Sequence, residues 1–341
     1  MITAFIDVLG FSSFIEDFDE VDAREKLEKY YEFLFDYTES RGQIFLDCIM
    51  FSDSFITRFI DLETAIMACR NLYGAIFRRI KEDIRDDFSE RNVRRPFFVR
   101  GAIAPGGIYV ERDRKDRERF KRNFVVSKAL SRAYRGESIG KGMRLFYVVD
   151  ANESMDNRMD NMQDYMLGAP IIDQIAACEI SWFDYTDSLT EDQENYQLLI
   201  QLVNFYAEIN PEVCLHYIEM LNSFIKSMER KYSKDTITLN KLIINCLDLG
   251  TQGPTESIQE YFVPVWINTL NALLKLSEQN DNMFTAIALE ETKTKIIEVF
   301  FRKEGALFLE ELKRSKQFEG ITGVLLKPWW DKGNQCVFHL D

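Results

Sequence analysis

The sequence predicts an α+β protein: a sandwich of an antiparallel-rich sheet with helices, followed by a mainly helical C-terminal region. Three observations carry that expectation. Between residues 1 and 150, short β-favouring runs alternate with amphipathic helical patterns. Two pairs of these runs flank turn-forming residues, Ser52-Asp53-Ser54 and Pro105-Gly106-Gly107, as antiparallel hairpins do. From residue 191 onward the apolar spacing is helical almost throughout, so the expected division is 1–190 and 191–341.

The elements follow in order. Ala4 to Phe11 is a β-favouring run that ends at Gly10, and Ser12 or Ser13 can cap a following helix. Ala23 to Tyr37 carries Leu27, Tyr30, Tyr31, Leu34 and Phe35 at helical spacing until Arg41-Gly42 interrupts it. Gln43 to Phe51 and Phe55 to Ile60 read as the first hairpin, and Leu62 to Ile84 as a long amphipathic helix. Phe97 to Ala104 and Ile108 to Val110 read as the second hairpin. Phe124 to Glu137 resumes a helical period, and Arg144 to Asp150 resembles a buried strand. Met155 to Met166 is polar and suits a loop or domain margin. Helices are expected over Tyr196–Ile209, Glu212–Tyr232, Thr236–Leu249, Ile258–Ser277 and Thr292–Phe318, with a mixed tail from Gly320 to Asp341.

Composition limits the chemistry. The 341 residues are 46% hydrophobic and 29% charged, the make-up of a folded protein with a substantial core. A net charge of -14 argues against broad binding to nucleic acid or to anionic membranes. No stretch reaches the roughly 18 apolar residues of a membrane span, and no basic leader precedes the first strand, so the expected location is cytoplasmic. The six cysteines show no C-x-x-C spacing and read as reduced, mostly buried thiols. With only His216 and His339 available, chemistry falls to carboxylates, hydroxyls and Arg. The basic run Arg112, Arg114, Lys115, Arg117, Arg119, Lys121 and Arg122 is interleaved with acids, as in a solvated loop; steering of an anionic substrate is the second reading. Trp329 and Trp330 read as core or contact residues.

Asp7 stands inside an apolar strand pattern, where an unpartnered carboxylate is expensive to bury. Asp53 lies at the tip of the first hairpin, so neighbouring strands would bring the two carboxylates together. Such pairs hold Mg²⁺ or Mn²⁺ beside a triphosphate, because hard cations take oxygen ligands and leave positions for phosphate oxygens. Gly10, Phe11 and Ser12 would present backbone N–H groups at a helix start, which suits phosphate. Asp53 alone also fits an ordinary turn aspartate, and Asp7 a cap or a buried ion pair. Strand alternation places Asp47, Ile49, Phe51 and Asp53 on one face, where Asp47 can accept from a pyrimidine base or simply face water.

Four motifs occur in order: F-I-D-V-L-G-F (Phe5–Phe11), F-S-D-S (Phe51–Ser54), V-R-G-A-I-A-P-G (Val99–Gly106) and S-K-A-L-S-R-A-Y-R-G-E (Ser127–Glu137). Together they resemble the class III nucleotide cyclase domain, and more closely the pyrimidine cyclases of the bacterial Pycsar antiphage systems. The resemblance implies two metal ions, Mg²⁺ or Mn²⁺, on Asp7 and Asp53. It implies a homodimer in which Arg135 contacts the triphosphate bound by the partner subunit. Ile49 and Phe124 stand where purine cyclases of this class carry base-reading Lys and Asp, which disfavours adenine. Ser131 replaces the usual Asn and Ser127 the usual Gly of the last motif, while Ala133, Tyr134 and Glu137 fit an A-Y-x-x-E variant found in pyrimidine cyclases. The implied reaction converts UTP, or CTP, to the 3′,5′-cyclic monophosphate and pyrophosphate, and the product acts on a separate effector during phage infection. A catalytically silent, nucleotide- or partner-binding domain is the rival reading. A polymerase-palm or diguanylate-cyclase-like enzyme lacks its G-G-D-E-F-like hairpin here.

Overall fold

In the computed structural model, residues 1–11, 20–85, 97–112, 123–150, 165–172, 175–185 and 188–232 are described, with positions 238 and 242. The chain divides into two compact units, Met1–Asp187 and Ser188–Asp341.

Strand β1 (Ile2–Val8) lies at the centre of the first unit. Helix α1 (Glu20–Glu39) precedes a short 3-10 turn at Gly42–Ile44, entered through Gly42 at φ +58°. Strands β2 (Cys48–Phe51) and β3 (Ser54–Phe59) form the first expected hairpin around Ser52-Asp53. Its first strand is shorter than the sequence suggests, because the 3-10 turn consumes the start of the apolar run and leaves Asp47 just ahead of β2. Helix α2 (Leu62–Arg85) and strand β4 (Val99–Pro105) follow.

The second expected hairpin does not form. Strand β5 (Tyr109–Arg112) pairs with β6 (Asn123–Val126) in a separate two-stranded sheet. Both edges of β4 are already taken, by β1 on one side and β7 on the other, so β5 has no edge of β4 to return to. Gly106 at φ +121° turns the chain away, with its N–H on the Met1 carbonyl. The expected helical start at Phe124 is likewise strand, since the Phe-Val-Val run favours β structure. Helix α3 (Lys128–Glu137) begins where the Ser127 hydroxyl accepts from the Leu130 N–H. Strand β7 (Leu145–Asp150) is buried as expected. Two strands that the sequence did not announce, β8 (Met166–Ile172) and β9 (Ile175–Ile180), complete the sheet.

The seven-stranded order is β2-β3-β1-β4-β7-β9-β8, antiparallel except for β4 and β7. One face carries Phe5, Ile56, Ala102, Ala104, Phe146, Val148, Ile175 and Ala177, and packs on Ala129 and Ala133 of α3. The residues between them, such as Ile6, Phe55 and Ile103, point to the other face, against which α2 packs. Small residues at the α3 contact bring helix and sheet into close approach. A Cβ on Gly136 would lie 2.4 Å from a Val148 methyl and 2.9 Å from the Ala102 Cβ.

In the second unit, α4 (Leu189–Ile209) and α5 (Pro211–Lys231) form a helical hairpin hinged at Asn210, whose side chain caps α5. Lys231 and Tyr232 return to the buried Asp192 at the start of α4, which fixes the pair as antiparallel. These helices agree with the expectations for Tyr196–Ile209 and Glu212–Tyr232. Apart from positions 238 and 242, the three later expected helices, the Gly320–Asp341 tail, Trp329 and Trp330 lie outside the described residues, as do Ser12, most of the basic run and most of the 155–166 segment. Cys69, Cys178 and Cys214 are buried free thiols, whereas Cys48 is exposed. Among the described residues, no helix is long and apolar enough to cross a membrane.

Candidate active site

Asp7 and Asp53 meet at the C-terminal end of β1. Asp7 is on the α3 face of the sheet, two positions beyond Phe5. Its Cα partners are Ser54 on β3 and Arg100 on β4. The Ser54 hydroxyl donates to Asp7 Oδ1 at 2.8 Å, and Arg100 Nη2 lies 3.9 Å from Asp7 Oδ2. Asp53 occupies the two-residue turn between β2 and β3, entered through Ser52 at φ +55°. The Asp53 carbonyl accepts from the Val8 N–H at 3.3 Å, which ties the turn to the residue after Asp7.

Burial raises the Asp7 carboxyl above its ordinary range, and the charge of Asp53 pushes the same way. The Ser54 hydrogen bond and the Arg100 charge oppose them. A buried carboxyl with a second carboxylate close enough to act on its charge forms an oxygen-only site suited to a hard divalent cation. Tyr30 and Tyr31 of α1 border it: burial raises both phenols, with further contributions from Asp7 and Asp53 at Tyr30 and from Asp53 at Tyr31.

Of the proposed phosphate-binding residues, Gly10 adopts φ +70° with open space around its missing Cβ. The Phe11 side chain is committed to the core, edge-on to Phe97, so only its backbone is on offer. Ile49 is half-buried on the α3 side of the sheet. Asp47 forms an ion pair with Arg58, at the opposite end of the hairpin from Asp53. Phe124 sits in β6, its backbone paired with Glu111 in the two-stranded sheet.

Helix α3 presents two faces to two tasks. Ala129, Ala133, Gly136 and Glu137 are buried against the sheet, and Glu137 forms an ion pair with Arg100. Ser131 and Arg135 are four residues apart, lie on one face, and are both exposed. Arg135 and Glu137 are about 200° apart around the helix, so one faces out where the other faces in. Arg100 and Glu137 were not singled out as site residues by sequence reasoning. The available signal was a lone Arg in an apolar strand, the same kind of anomaly that marked Asp7.

No family model matches the chain, and no curated protein matches it. Among solved structures, the guanylyl cyclase Cya2 is similar over 53% of this chain and 90% of its own, at 14% identity and a TM-score of 0.40. The adenylyl cyclase CyaB from P. aeruginosa is similar over 55% of this chain and 93% of its own, at 12% identity and a TM-score of 0.40.

Proposed function

We propose that the chain is a metal-dependent nucleotide cyclase that closes a pyrimidine nucleoside triphosphate, UTP first and CTP next, to its 3′,5′-cyclic monophosphate. The observation that carries this reading is the convergence of Asp7, from a sheet interior, with Asp53, from the adjacent hairpin turn. In the reaction the ribose 3′-oxygen bonds to the α-phosphorus and pyrophosphate departs. Mg²⁺ or Mn²⁺ held by Asp7 and Asp53 would acidify the 3′-hydroxyl and neutralise the triphosphate. Ser54 holds the Asp7 carboxylate in one orientation through its hydroxyl. The Gly10 turn offers backbone N–H groups where phosphate would lie.

Arg135 faces away from its own sheet, which suits service to the site of a second copy in a homodimer. There it would stabilise charge that grows on the leaving oxygens. The cyclic product would act on a separate effector in antiphage signalling.

Incubation of the full chain with Mn²⁺ and each of the four ribonucleoside triphosphates, followed by product identification, tests the reading. A cyclic pyrimidine monophosphate plus pyrophosphate is expected. Cyclisation of purines alone removes the pyrimidine assignment, and the absence of any cyclic product removes the enzyme.

A further inference from the structure

Arg100 is poised to seal Asp7, yet it does not. The two residues are directly opposed on antiparallel strands, their side chains on one face. An arginine so placed ordinarily closes on a carboxylate in a two-point fork at about 2.7–2.9 Å. Here the nearest approach to Asp7 Oδ2 is 3.9 Å, beyond hydrogen-bond reach. The Nε side of the same guanidinium forms an ion pair with Glu137.

Glu137 cannot easily withdraw. It is 4% exposed, and it follows Gly136, whose missing side chain seats the last turn of α3 against Val148 and Ala102. A buried carboxylate with a cation in contact keeps that cation, because separating them leaves an uncompensated buried charge. Glu137 neutralised by Arg100 also leaves both aspartates with their own negative charge to offer.

We propose that Glu137 is a positioning residue that, by engaging Arg100, holds the guanidinium off Asp7 and keeps Asp7 Oδ2 open to a divalent cation. The inference rests on the reading of Asp7 as a metal ligand. Both assignments are separable by experiment.

The measurement is Mn²⁺ binding to the full chain without nucleotide, by titration calorimetry, with circular dichroism as the check on folding. Glu137→Gln should weaken the Asp7-dependent site about tenfold or more, the usual scale for groups that orient ligands, because the freed guanidinium closes on Asp7. Adding Arg100→Gln in the same chain should restore the affinity. Arg100→Lys alone keeps a cation on Glu137 without a second arm for Asp7, and should bind Mn²⁺ at least as tightly as the wild type. Should Glu137→Gln fail to fold, Arg100→Lys decides alone: equal or tighter binding supports the proposal and weaker binding overturns it. Unchanged affinity in folded Glu137→Gln, or a double variant as weak as the single one, also overturns it while leaving the metal site standing. Wild-type binding that Asp7→Ala does not diminish brings down the metal assignment and this inference together.

Discussion

Ser54 donates its hydroxyl to Asp7 from the position directly across the β1–β3 ladder, one residue after Asp53. A single hairpin turn therefore supplies both the second carboxylate and the donor that orients the first. The link between them is covalent and short, so the pair is set by the register of β1 on β3 and needs no further element to assemble it.

Removing that donor should alter the pH dependence of activity. The Ser54 hydrogen bond favours the ionised form of Asp7, against the burial and the Asp53 charge that disfavour it. Ser54→Ala should therefore raise the Asp7 carboxyl further and move the acid limb of the kcat/KM profile to higher pH. Activity well above that limb should change little. A pH profile of cyclic product formation with Mn²⁺ checks this, and an unmoved limb would separate Asp7 from the rate-controlling ionisation.

Asp7→Asn should abolish turnover yet stabilise the metal-free fold at neutral pH. The folded-state carboxyl of Asp7 lies above the ordinary aspartate value of 3.8, so the folded state binds the proton more tightly than the unfolded one. Ionised Asp7 therefore destabilises the fold, and that penalty disappears as pH falls through the raised value toward 3.8. Thermal unfolding with a chelator present should show a higher Tm for Asp7→Asn at pH 7 and a shrinking difference as the medium is acidified. Asp53→Ala should also remove product formation. More than a few per cent of wild-type activity in either variant would sink the metal assignment.

Much of this site was readable in the sequence because its members violate local patterns. Asp7 interrupts an apolar strand, and Asp53 sits where a tight turn must lie. The helix carrying Arg135 has its Ser127 cap three residues before the N–H that it binds, although the strand ahead of it extended the apparent helical period. What the sequence hides is the choice of partner. Whether β5 returns on β4 or pairs with β6 depends on β4 having both edges occupied by β1 and β7, a non-local fact. Strands β8 and β9 were missed for a different reason. Ala176, Ala177 and Cys178 give little β signal, and Glu179 is a buried carboxylate that receives two hydrogen bonds from Arg144, 35 residues away. The Arg100–Glu137 pair is hidden in the same way, since it joins a strand to a helix packed over it.

Arg135→Ala should lower kcat far more than it raises KM, because its contact strengthens as charge builds in the transition state. Its side chain faces outward from α3 beside Ser131, so the loss should be repairable from another subunit. Mixing inactive Arg135→Ala with inactive Asp7→Ala should restore activity, since one composite site of the heterodimer inherits both defects and the other neither. Subunit exchange is verified separately, for example with two tags. Verified exchange without recovery would place Arg135 in the site of its own chain or outside the reaction.

Base selectivity is the finest of these assignments, and Asp47 is where it can be measured. Its carboxylate is already paired with Arg58, but an ionised carboxylate has acceptor sites for more than one donor, so a pyrimidine N3–H or 4-amino group can still be received. Asp47→Ala should then cost about 1–3 kcal/mol in kcat/KM for the preferred pyrimidine, by leaving that base donor unmatched. Purine triphosphates, which make no such contact, should lose nothing. The variant also releases Arg58, which reaches the Ile108 carbonyl at 3.4 Å, so a purely structural role predicts a different pattern. In that case Asp47→Ala would depress all four nucleotides equally and lower Tm, and Arg58→Ala would reproduce it. Competition kinetics with UTP, CTP, ATP and GTP on both variants distinguish a base-reading carboxylate from one that only anchors the start of the hairpin.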